Sequence, residues 1–293
     1  MGQTFGVVLA IISSCLGGSA AAVTRYLGAG ADPITLAVLR WGFGILLVLP
    51  VTLLLGAKWP PRRDWPAVAL LGLAFFGLFF IFYNIALEYT TVARATLALS
   101  TLPLQTMLVG ALVGVERLTV RKTLGVAIAM LGVFAALITG LGAAPAGAWR
   151  GEAIMIGAVF CMAFYNVWSR QFIVRASALG FLSVGMGAGA LALIAVDAAT
   201  GRLATLASFS SAQWIAGVYL GIGGGALAFI LWVMALQRAT PTLVANTMTV
   251  NPIAAALLAT QLVGEPIPLN LVLGLVAVFA GIFIATTGAT GKL

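Results

Sequence analysis

Ten apolar runs fill almost the whole chain, each close to the about 20 residues that a helix needs to cross hydrocarbon. They occupy 4–23, 33–55, 65–87, 93–112, 123–139, 151–169, 178–196, 212–236, 243–260 and 269–286, read between charged or Pro/Gly-rich breaks. A backbone in lipid must satisfy its own hydrogen bonds, so runs of this length predict an all-α integral membrane bundle of about ten transmembrane helices. The breaks are short and leave no room for a separate soluble domain. Composition agrees: 62% of the 293 residues are apolar, and 15 Lys and Arg with 7 Asp and Glu are too few to cover a water-facing surface. The first run lacks the positive flank of a signal peptide and is expected to remain as the first helix.

The net charge of +8 does not point to nucleic acid, because no basic run is long enough to neutralise several phosphates. Its distribution is informative instead. The N-terminal side, with the breaks after runs 2, 4, 6 and 8 and the C-terminus, holds Lys58, Arg62, Arg63, Arg117, Arg121, Lys122, Arg170, Arg175, Arg238 and Lys292. The opposite side holds Arg25, Arg94, Arg150 and Arg202. Lysine and arginine collect on the cytoplasmic side, so both termini are expected there.

The sequence also repeats itself at an offset of 149 residues. Trp65 meets Trp214, Gly72 meets Gly221, Pro103 meets Pro252, Glu116 meets Glu265, Gly125 meets Gly274 and Gly132 meets Gly281. The register holds from run 3 to run 5, and runs 1 and 6 match less well. This divides the chain at 1–145 and 146–293 into two five-helix repeats within one membrane unit. Five is odd, so the second copy crosses the membrane the other way up. Inverted repeats of this kind recur in secondary transporters, with the solute site near the midplane between halves. The alternative is a duplicated bundle with no transport role.

The pattern of a proline in a span, a glutamate at its end and two spaced glycines, seen twice here as Pro103, Glu116, Gly125, Gly132 and Pro252, Glu265, Gly274, Gly281, resembles the EamA-type members of the drug/metabolite transporter superfamily. The stretch from Asp32-Pro33 to Leu39-Arg40 is similar to that family's second span. The resemblance covers nearly the whole chain and, within the superfamily, is greatest to the YddG-type amino-acid exporters of bacterial inner membranes. It implies a multi-pass inner-membrane exporter.

Polar and aromatic side chains inside spans are the candidate solute contacts, because polar groups in hydrocarbon must face the bundle interior or a water-filled cavity. They are Phe79 and Tyr83 of the third run, Ser100 and Thr101 of the fourth, Tyr165, Asn166 and Trp168 of the sixth, Trp232 of the eighth, and Asn246 and Thr249 of the ninth. Thr242, Asn246 and Thr249 fall on one face of a regular helix. Together they predict a cavity walled by rings and dotted with hydroxyls and amides. Each has a plainer reading: Ser and Thr bond their own helix or a neighbour, and Tyr83, Trp168 and Trp232 belong to an interfacial belt. Pro103, Pro252 and Gly224 are the candidate hinges, since proline frees a carbonyl and the glycine run 221–225 thins its helix. Arg40, the one charge well inside a run, is expected to snorkel or pair at the outer edge, or else to attract a solute carboxylate. Cys15 and Cys161 are expected as small core side chains.

Without histidine or clustered acids there is no nucleophile–base pair and no metal cluster. The expectation is a transporter and not an enzyme, with no cofactor and no metal. Its partners are a small-molecule solute and the lipid bilayer, and the solute is a neutral metabolite, foremost an amino acid, aromatic ones included. A different metabolite or drug, a channel or a membrane scaffold are the competing readings.

Overall fold

The structure, a computed structural model, describes residues 2–115, 119–139, 144–267, 269, 272–273, 276–277 and 279–280. Nine long helices lie among them: α1 (Gly2–Leu27), α2 (Pro33–Leu54), α3 (Arg62–Tyr89), α4 (Val92–Leu112), α5 (Val120–Thr139), α6 (Ala148–Ile173), α7 (Ala178–Ala199), α8 (Ser211–Leu236) and α9 (Pro241–Val263). They match the first nine apolar runs. The tenth run, 269–286, falls largely outside the described residues, as do Glu116, Gly274 and Gly281. The helices overshoot the runs at polar ends, because a helix continues past the hydrocarbon when its end turns carry residues such as Trp149 at the start of α6 or Arg170 at its end.

Local sequence sets the starts. The Asp32 carboxylate accepts from the amides of Ile34 and Thr35, with Pro33 in the first turn of α2, where its missing N–H costs nothing. Thr91 and Thr240, 149 residues apart, cap α4 and α9 by accepting from Arg94 N and Leu243 N. Ser177 caps α7, and Ser210 with Gln213 forms a capping box at α8.

The repeat is visible in the irregularities of the helices. α3 widens into a π turn over Leu73–Phe79, and α8 does so over Ile222–Leu227, starting at the equivalent position. α4 breaks at Ser100–Thr101, and α9 tightens into a 3-10 turn over Thr247–Val250. In both, the proline sits in the first turn of the segment that follows the break, where it is accommodated without loss of an internal hydrogen bond.

Inversion is equally direct. Thr35 at the start of α2 donates to Asp197 at the end of α7 (3.1 Å), while Thr52 at the end of α2 and Ser183 at the start of α7 share a hydrogen bond of 2.7 Å. These equivalent helices therefore run antiparallel. The packing is exchanged in the same sense: α1 lies against α8 and α9, α6 against α3 and α4, α2 against α8, and α7 against α3. Neither half has a core of its own. Close approach rests on small residues, as it must where lipid gives helices no hydrophobic drive to associate. A Cβ on Gly221 would strike Phe43 on α2, and one on Gly72 would strike the Gly185 backbone on α7. The chain is thus an all-α integral membrane protein of two inverted five-helix repeats.

Candidate solute-binding site

The core between the halves is aromatic. Trp41 of α2 meets Phe76, Phe80 and Phe229 edge to face at 4.5–5.3 Å, and Tyr165 of α6 stacks on Phe75 at 4.4 Å. Beside this cluster is a cavity lined by Ser13 and Gly17 (α1), Arg40 (α2), Phe79, Phe80 and Tyr83 (α3), Leu99 (α4), Met162 (α6), Ala228, Phe229 and Trp232 (α8), and Met248 and Asn251 (α9). Seven of the nine described helices thus contribute to it. It has about 30 Å³ open to the centre of a water molecule, room for about two waters. No Asp or Glu is among the described residues that line it.

Arg40 dominates its electrostatics. It lies seven residues into α2, about 10 Å along the axis, and only 3% of it is exposed. The expected snorkelling to the outer edge does not occur. The guanidinium is held inside because Nη2 donates to the Gly224 carbonyl at 2.7 Å and its central carbon lies 4.6 Å from the Phe80 ring centre. The space exists because the repeats differ here. The π turn of α3 carries Phe75 and Phe76, whereas the π turn of α8 carries Gly224 and Gly225 at the equivalent positions. A Cβ on Gly225 would lie 3.0 Å from the Arg40 carbonyl oxygen and 3.6 Å from its Cγ. Glycine therefore admits the arginine stem that phenylalanine would exclude.

Phe79, Tyr83 and Trp232 are brought together at the cavity. Asn166 lies behind them, fully buried, and accepts from Trp232 Nε1 at 3.0 Å, so it orients a wall without forming one. Tyr165 belongs to the aromatic core. Ser100 donates to Thr96 O and Thr249 to Asn246 O, each within its own helix. Thr101 lies in an apolar groove between α4 and α5. Asn246 is buried beside the 3-10 turn but does not line the cavity. Trp168 is 37% exposed, stacked on Phe164 at 4.7 Å and apart from the lining. Sequence reasoning did not select Ser13, Met162, Phe229, Met248 or Asn251 as contacts. On α9 the reason is the 3-10 turn, which rotates faster per residue than an α-helix and carries Met248 and Asn251 to the face assigned to Asn246 and Thr249.

The end of the bundle away from the N-terminus is tied across the halves. Arg94 Nε lies 2.5 Å from Glu152, Arg25 Nε 3.6 Å from Glu265, and Arg202 Nη1 3.2 Å from Asp32. Glu265 also accepts from Val92 N at 2.8 Å. Burial nevertheless pushes the Glu265 carboxyl up, outweighing that amide and Arg25. At Asp32 burial acts in the same direction but is outweighed by the Thr35 hydroxyl, two backbone amides and Arg202, which together hold the carboxyl below its ordinary value. Between these ties a cleft of about 560 Å³, lined in part by Arg25, Asn84, Glu88 and Gln213, reaches in from this far face.

Two antiparallel five-helix repeats with exchanged packing, enclosing a ringed and singly charged cavity, define an inverted-repeat membrane transporter. The chain belongs to the EamA-like transporter family, whose pattern matches residues 4–138 and again 149–287. It is similar to the uncharacterized inner membrane transporter YedA of Escherichia coli K12, 27% identical over 235 residues that make up 80% of this chain and 74% of that one. It is also similar to an uncharacterized transporter of Archaeoglobus fulgidus, 26% identical over 96% of both chains. A solved crystal structure superposes with a TM-score of 0.74 over 98% of each chain at 21% identity, which shows the shared fold.

Proposed function

We propose that the protein exports small neutral metabolites, foremost amino acids including aromatic ones, by alternating access between its two halves. The observation that carries this reading is the ringed cavity between the antiparallel repeats, which has no carboxylate among the described residues of its lining. A drug cation would call for an acid there. Room for about two waters is too little for any such solute, so passage requires the halves to rearrange, as in a carrier and unlike an open channel. In this reading Phe79, Tyr83 and Trp232 wall the solute, and Asn166 holds Trp232 in place. The breaks at Pro103 and Pro252 and the π turn at Gly224 are where the helices bend. Both termini lie in the cytoplasm, so the tied far face is the external one. The membrane is the inner membrane of a bacterial cell. The test is counterflow into liposomes containing the purified protein, run against a panel of amino acids. Exchange of neutral and aromatic amino acids above protein-free liposomes is expected; exchange restricted to cations or sugars would overturn the assignment.

A further inference from the structure

Arg40 is a permanent cation, because guanidinium does not give up its proton in a protein. Placing it in the interior of a membrane bundle is costly unless it is paired and its donors are filled. In this structure no acid lies beside it and its donors are only partly filled. Of its three nitrogens, Nη2 donates to Gly224 O, Nε and Nη1 are buried with no acceptor in hydrogen-bond geometry, and the Tyr83 hydroxyl on the cavity wall interacts with the guanidinium without filling them. Its ion-pairing partners are all elsewhere: the acids in ion pairs among the described residues bind Arg25, Arg63, Arg94, Arg175 and Arg202. The Phe80 and Trp41 rings, at 4.6 and 5.3 Å from the guanidinium carbon, stabilise the charge but accept no conventional hydrogen bond. Arg40 lines the cavity, so its unfilled side has a space beside it. A second group there is unfilled with the opposite polarity: Asn251 Oδ1 is buried without a donor. Gly17 keeps the space beside that amide open, since a Cβ there would lie 3.0 Å from Nδ2.

We infer that Arg40 binds a carboxylate of the transported solute through its unfilled N–H groups, so that the substrate class is carboxylate-bearing molecules with an apolar or aromatic body. The second hydrogen of Nη2 forms a donor pair with Nε–H on one edge of the guanidinium and with Nη1–H on the other, and either pair matches the two oxygens of a carboxylate in charge-assisted bonds. The rings of Phe79, Tyr83 and Trp232 then receive the body. An α-amino acid fits the same frame, its ammonium donating to Asn251. The inference rests on the transport reading above and sharpens it, by making the carboxylate the required group. The second repeat supplies no counterpart cation: on the antiparallel partner helix α7 the position that meets α3, as Arg40 meets α8, is Gly185. The site therefore binds one carboxylate in one orientation.

The test is titration calorimetry on the purified full-length protein with two matched pairs, L-phenylalanine against L-phenylalaninamide and 3-phenylpropanoate against 3-phenylpropanamide. In each pair only the carboxylate is replaced. The carboxylates are expected to bind about tenfold or more tightly than their amides, the worth of one charged hydrogen bond. Arg40→Gln should abolish that preference, and Arg40→Lys, which keeps a cation able to reach Gly224 O, should retain part of it. Elution profile and melting temperature report whether each variant is folded. If Arg40→Gln does not fold, the wild-type pairs and Arg40→Lys decide. Amides binding as tightly as acids, no binding of either carboxylate, or a folded Arg40→Gln that keeps the preference would each overturn the inference. Counterflow separates the two claims. Amino acids that exchange without discrimination against their amides leave the transport reading standing and this one fallen. Carboxylate-selective binding with no exchange of any solute does the reverse.

Discussion

Replacing Glu152 with glutamine should loosen the far face of the bundle before it harms the fold. Arg94 and Glu152 are the tightest of the ties between halves, with Nε and Oε1 2.5 Å apart and side chains only 8% and 9% exposed. Removing one member of a buried ion pair costs about 3–5 kcal/mol when the other is stranded. Here the loss is smaller, because glutamine keeps a carbonyl that Arg94 can donate to and the pair sits near the end of the bundle. Reducing a hydrogen bond to a charge to a neutral one loses about 1 kcal/mol. Because Arg94 belongs to the first repeat and Glu152 to the second, that energy is lost only from states in which the far face is closed. It therefore shifts the closed-to-open balance by about fivefold. The assay is external labelling of Met248→Cys, a cavity position, by an impermeant thiol reagent, in a background with Cys15 and Cys161 replaced by serine. Glu152→Gln should raise the labelling rate, and the swap Arg94→Glu with Glu152→Arg should bring it back. An unchanged labelling rate with a lowered melting temperature would refute the reasoning, because the pair would then hold the fold in every state alike.

Single cysteines placed at Lys122 and at Glu265 should react from opposite sides of the membrane, the second alone with an external reagent; labelling of both from one side would remove the inverted topology with cytoplasmic termini. Trp232→Ala should reduce counterflow more than Asn246→Ala does. The first removes a cavity wall and strands Asn166 Oδ1, whereas Asn246 stands outside the lining; equal losses would place Asn246 in the solute path. Gly221→Ala should lower the melting temperature through about 1–3 kcal/mol of overpacking, since the new methyl meets Phe43 and the Leu39 carbonyl on α2. A variant that melts with the wild type would mean that α2 and α8 are not so closely apposed.

The span boundaries and the inverted repeat were legible because both are linear signals: apolar length, and Trp65, Pro103 and Glu116 recurring at one offset. The halves swap partners through contacts that no offset encodes, such as Ser13 donating to Ala228 O at 2.7 Å across 215 residues. Of the side chains singled out in the sequence, the rings Phe79, Tyr83 and Trp232 line the cavity, and the hydroxyls do not. Ser100 and Thr249 satisfy themselves on their own backbones, an option that composition cannot distinguish from solute contact. Arg40 was conspicuous as the one charge inside a span, but its depth was not: that depends on Gly224 and Gly225 lying opposite, where the first repeat has Phe75 and Phe76. Glycine in a sequence registers as thinness, and only the packed structure shows what occupies the space.

Neither a proton gradient nor a sodium gradient should drive this transporter uphill. A coupling carboxylate must meet both sides of the membrane in turn, and so must border the solute path. The described residues that line the cavity include none. Asp32, Glu88, Glu152, Asp197 and Glu265 lie at the far end of the bundle, where ties to Arg202, Thr35, Arg94 and Arg25 hold four of them, and Asp64 lies at the near end with Arg63 and Arg175. A far-face acid exchanges protons with one side, which changes rates but moves no equilibrium. Glu265 illustrates the sign. Burial raises its carboxyl, so acidification on the far side protonates it earlier than an ordinary glutamate and weakens its pairing with Arg25. External acid should therefore speed opening and exchange, with equal solute concentrations still reached at the end. Liposomes loaded with solute at the outside concentration and given a pH step or a sodium step should show no net accumulation. Reproducible accumulation against the solute gradient, abolished by collapsing the imposed ion gradient, would mean that one of these acids reaches the cavity in another state of the cycle. Glu88, beside the cleft and outside the ion pairs, would then be the first to replace.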